Sequence, residues 1–95
     1  MTRPVPARVA RRALLAKGFK EAQGSRDHEM FLLYERDAKT RFFVKLSRSG
    51  ADVRLDHMRI MGRAFGIRTE DLYRVLNCEY DAAQTLEVWR TRPVR

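Results

Sequence analysis

Residues 40–47, Thr-Arg-Phe-Phe-Val-Lys-Leu-Ser, alternate in a way that only a strand can use. Side chains along a strand point to opposite faces in turn. Phe42, Val44 and Leu46 therefore share one face, while Arg41, Phe43, Lys45 and Ser47 share the other. The first set is a core face; the second is basic and half aromatic. Upstream, His28–Glu35 is a second run rich in strand formers, with apolar residues on both faces. Phe19–Gln23 makes a shorter third. Turns are expected at Gly24-Ser25-Arg26-Asp27 and at Arg36-Asp37-Ala38-Lys39.

Helical patterns flank these strands. Before them, Pro4 and Pro6 suit a helix start, Val5, Val9 and Ala13 recur at helical spacing, and Gly18 supplies the stop. Arg8, Arg11 and Arg12 fall on the opposite face of that helix. After the strands, the spacing predicts a helix over about 53–65 with Leu55, Met58, Met61 and Phe65 inward and Arg59 and Arg63 outward. Gly66-Ile67 reads as a Schellman cap with its apolar contact. Thr69 is expected to cap a helix running to Leu76, and Asp81 with Gln84 has the form of a capping box for a last helix through Trp89. The order is helix, three strands, helices. Its simplest packing is an α+β fold: a small three-stranded antiparallel sheet under helices, as in double-stranded-RNA-binding domains.

The whole chain is 95 residues, room for one domain. Twenty Lys and Arg against twelve acidic residues give a net charge of +8, and the first twenty residues carry no acid at all. Such an excess attracts polyanions, above all nucleic acid. The single cysteine, Cys78, excludes an internal disulfide and a cysteine-based zinc site, and it fits a reducing, cytoplasmic setting. Cys78 itself reads as inert. No apolar run is long enough for a membrane span, and the Arg-rich start leads straight into the pattern at Phe19 rather than into a cleavable leader.

Lys17-Gly18-Phe19, then Gly24-Ser25 and His28 leading into Met30-Phe31-Leu32, resembles the HicA family of toxin ribonucleases. Ser47-Arg48-Ser49-Gly50 and the helix containing Met58-Arg59-Ile60-Met61-Gly62-Arg63 continue the likeness. Arg26 and Asp27 stand between Gly-Ser and the histidine, where the family usually has no insertion. The resemblance implies a double-stranded-RNA-binding-like core over residues 1–66, with 67–95 as a C-terminal helical extension of the same domain. It implies an mRNA endonuclease with one catalytic histidine, here His28, needing neither metal nor cofactor. A HicB-like antitoxin would hold it inactive.

The chemistry of RNA cleavage asks for a base, an acid and positive charge at the phosphate. His28 supplies one proton-transfer group. Ser25, Lys45, Ser47 and Arg48 are the expected supporting residues, with Arg8, Arg11, Arg12, Arg41, Arg59 and Arg63 holding the RNA backbone. His57 completes the pair only if its helix brings it close; otherwise it is a surface histidine. Two other readings stand beside this one. The same fold can bind RNA by shape without catalysis, with His28 an ordinary strand-start residue. Alternatively, the helices around Gly66 form a helix-turn-helix that reads DNA, although Glu70 and Asp71 would then face phosphates.

Overall fold

The computed structural model describes residues 3–93, and the chain is an α+β fold in which an N-terminal helix is followed by three strands and then three helices. The elements are α1 (Ala7–Ala16), β1 (Phe19–Ala22), β2 (His28–Glu35), β3 (Ala38–Ser47), α2 (Leu55–Phe65), α3 (Thr69–Leu76) and α4 (Ala82–Thr91). The sheet is an antiparallel meander in the order β1-β2-β3.

Burial settles the face of β2 that its sequence leaves open. Glu29, Phe31 and Leu33 turn inward, opposite Phe42, Val44 and Leu46 of β3. Helices cover that face. α1 lays Ala10, Ala13 and Leu14 on it, and α3, carrying Leu72, Val75 and Leu76, packs against both α1 and α2. Trp89 of α4 stacks on Phe42 at 5.6 Å, joining the last helix to the same core. Residues beyond Ile67 thus complete the core that the strands begin.

Helix ends follow their chemistry in two places. Gly66 adopts φ 74°, where a side chain would be strained, and the Ile67 amide donates to the Gly62 carbonyl at 2.8 Å, closing the Schellman motif. Asp81 accepts from the Gln84 amide at 2.7 Å while the Gln84 side chain accepts from the Asp81 amide at 2.9 Å.

Elsewhere the structure corrects the sequence reading. Arg36 and Asp37 both lie in the left-handed region (φ 51° and 65°), so β2 and β3 join through a two-residue turn and β3 begins at Ala38. Val5 and Val53 are not helical; they form an isolated antiparallel bridge that ties the start of the chain to the approach to α2. Leu55, expected in the core, is exposed at the helix start. Thr69 is the first helical residue of α3, not its cap; Arg68 holds that position, and its side chain accepts no capping hydrogen bond. Thr91 belongs to α4, while Val94 and Arg95 lie outside the described residues. Among the described residues no helix is long and apolar enough to cross a membrane.

Candidate catalytic and nucleic-acid-binding site

His28 opens β2 on the face the helices leave uncovered, because its neighbour Glu29 turns inward. Register places it directly opposite Ser47, the last residue of β3, and places Met30 opposite Lys45. His28, Ser47 and Lys45 thus sit together at one end of the open face.

Two loops lock this end. The Ser25 amide donates to the His28 carbonyl at 3.0 Å, and the Arg48 amide donates to the Asp27 carbonyl at 3.0 Å. Arg48 Nε reaches back to the Ser25 carbonyl, also at 3.0 Å. Ser47 and Ser49 share a hydroxyl hydrogen bond of 2.7 Å. Gly24 lies so close to β2 that a Cβ there would stand 2.3 Å from the His28 carbonyl oxygen. Only glycine fits, and the backbone carrying His28 is fixed by that contact. Ser25, Ser47 and Arg48, expected beside the histidine, are all brought to it.

His57 arrives from the other side. On α2 the residues His57, Met61 and Phe65, four apart, share one ridge. Phe65 meets Phe43 edge-to-face at 5.1 Å and Phe42 at 5.3 Å, so the end of α2 lies beside the middle of β3. Burial pushes the His57 pKa below its ordinary 6.5, the charge of His28 pushes it lower still, and Asp56 partly opposes them. The two histidines are thus within electrostatic reach of each other. The ridge at i, i+4 and i+8, running from an apolar anchor back to a histidine, was the signal available in the sequence.

The arginines divide. Arg11 stays exposed, as Arg8 and Arg12 do, but unlike them it pairs with the buried carboxylate of Glu29 and lies 5.8 Å over the Phe31 ring. A buried carboxylate needs such a partner. Arg8, Arg12 and Arg59 are exposed and in no ion pair among the described residues. Arg41 and Arg63 converge, with Arg92, on a cleft of about 270 Å³ beside Phe65 and Trp89. That cleft lies at the opposite end of β3 from Ser47. Arg68 and Arg74, by contrast, are held by Asp71 at 3.2 Å and Glu70 at 2.6 Å on α3 itself.

Cys78 also departs from its expected isolation. Lys17, 3% exposed, donates through Nζ to the Cys78 sulfur at 3.1 Å. Comparison with protein-family models, with curated proteins and with solved structures finds no match to this chain.

Proposed function

We propose that the protein is an RNA endonuclease in which His28 and His57 divide the proton transfers of cleavage. The observation that carries this reading is that His28 stands at the end of the open sheet face with Lys45, Ser47 and Arg48, and that His57, 29 positions on in the chain, lies within electrostatic reach of it. General acid–base catalysis needs two such groups, and histidine is suited to both tasks near neutral pH.

His57, whose uncharged form is favoured by burial and by its neighbour, suits the base. It removes the proton of a ribose 2′-hydroxyl. The 2′-oxygen forms a bond to the adjacent phosphorus as the bond to the 5′-oxygen breaks, and His28 protonates that leaving oxygen. Lys45 and the Arg48 guanidinium meet the charge that builds on the phosphate oxygens. The products are a 2′,3′-cyclic phosphate and a 5′-hydroxyl, with no change of oxidation state. The likeness to HicA toxins points the same way, with mRNA as substrate, the cytoplasm as the setting and a HicB-like antitoxin as the partner that would silence the site. Arg8, Arg12, Arg59, Arg41 and Arg63 supply the positive surface for the backbone.

The test is cleavage of end-labelled RNA in excess chelator by wild type, His28→Ala and His57→Gln. Cleavage by wild type that leaves cyclic-phosphate ends, and its loss in both variants with RNA affinity retained, is the expected result. Salt-sensitive binding without cleavage would leave a non-catalytic RNA-binding module instead.

A further inference from the structure

The face of the sheet away from the helices is not bland. Register puts Lys20 and Ala22 of β1, His28, Met30, Leu32 and Tyr34 of β2, and Lys39, Phe43, Lys45 and Ser47 of β3 on it. Three lysines stand on this face and no carboxylate does. Its aromatic rings already serve as seats for cations: the Lys20 ammonium lies 4.4 Å from the centre of the Tyr34 ring, and that of Lys45 lies 5.7 Å from the Phe43 ring. Tyr34, Leu32, Met30 and Phe43 are only half-buried, and of the four rings and chains Phe43 is the one that also meets a helix residue, Phe65 of α2, edge-to-face at 5.1 Å.

We propose that this open face is a platform for single-stranded RNA, whose unpaired bases stack on Phe43 and Tyr34 while Lys20, Lys39 and Lys45 hold the phosphates. The assignment rests on the nuclease reading above and adds to it the form of the substrate and the surface that selects it. Three features favour a single strand over a duplex. An aromatic ring can stack only on a base that has left its own stack, and a duplex offers none. The charge on the face is wholly positive, which suits a polyanion and repels other basic surfaces. The rows from Tyr34 to His28 span about 20 Å along β2. A strand laid along them passes Phe43, then Lys45, and ends at the histidine pair, so that recognition and cleavage lie on one path.

The occupant sets the experiment. Wild-type protein would be titrated with a fluorescent 2′-O-methyl oligoribonucleotide, which has no free 2′-hydroxyl to attack, both alone and annealed to its complement. Phe43→Leu and Tyr34→Leu keep apolar bulk but remove the stacking ring, and Tyr34→Phe restores it. The expected result is tighter binding of the single strand, a loss of roughly 5- to 150-fold in each leucine variant, and recovery in Tyr34→Phe. Thermal melts check that each variant folds. Preference for the duplex, or single-strand affinity unchanged in both leucine variants, would overturn the platform while leaving cleavage at His28 intact. Failure of the wild type to bind either form would overturn the platform and the nuclease reading together.

Discussion

The two faces of the sheet are made by alternate residues of the same strands, yet they do different work. The covered face is Phe31, Leu33, Phe42, Val44 and Leu46, all withdrawn from water beneath α1, α3 and Trp89. The open face carries His28, Lys45 and Ser47, with aromatic residues left half-buried. Packing tolerates no polar group without a partner, which is why the buried carboxylate of the covered face, Glu29, is bound to Arg11. The open face has no such constraint. It can hold titratable and cationic groups beside apolar ones, and chemistry is placed where packing does not forbid it.

That division makes neighbouring substitutions behave unlike one another. The largest effect belongs to the open face: His28→Ala is expected to reduce RNA cleavage by about 10²- to 10⁴-fold, with a denaturation midpoint indistinguishable from wild type. On the covered face, Phe42→Ala removes the ring that meets Phe19, Phe65 and Trp89. It should cost about 3–5 kcal/mol in urea unfolding, a large share of the stability of a domain this size. Equal losses of stability from both substitutions would erase the contrast between the faces.

Gly24→Ala belongs to neither face and should disturb both properties. Its new Cβ would meet the His28 carbonyl, so the loop must move and the histidine with it. Cleavage should fall by at least tenfold, and stability by about 1–3 kcal/mol. Asp81→Ala sharpens the comparison from the other direction: it removes the α4 capping box, which involves no residue of the sheet. About 1 kcal/mol of stability should go, with cleavage unchanged.

Much of this division was legible in the sequence. The alternation of residues 40–47 sets the two faces of β3, and Gly66-Ile67 and Asp81 with Gln84 mark helix ends through contacts only a few residues long. What escaped reading depends on distant partners or on unusual local geometry. Val5 and Val53 pair across 48 positions, so a local helical spacing around Val5 was misleading. The turn at Arg36-Asp37 contains no glycine to announce two left-handed residues. Arg11 looks like its solvent-facing neighbours until Glu29 is placed beneath it. Among the site residues, Ser25, Lys45, Ser47 and Arg48 cluster near His28 as strand order implies. His57 is announced only by its helical spacing from Phe65, because nothing beside it in the sequence shows that Phe65 packs on β3.

The smallest expected effect is one of pH. The fold holds the His57 pKa below 6.5, so in that range the unfolded chain binds more protons than the folded one. Stability from this source is fully present above pH 6.5 and is lost as pH falls through the lowered value. His57→Gln should flatten that part of the stability profile, and His28→Gln should raise the His57 pKa in an NMR titration by removing the neighbouring charge.

The joint action of the two histidines is tested most directly by the pH dependence of single-turnover RNA cleavage in excess chelator, comparing wild type with His57→Gln. The expected wild-type profile is bell-shaped, with an acidic limb below pH 6.5 set by His57, and the variant should lose both that limb and most of its rate. A variant that cleaves at the wild-type rate with the same acidic limb would contradict the pairing of His28 with His57.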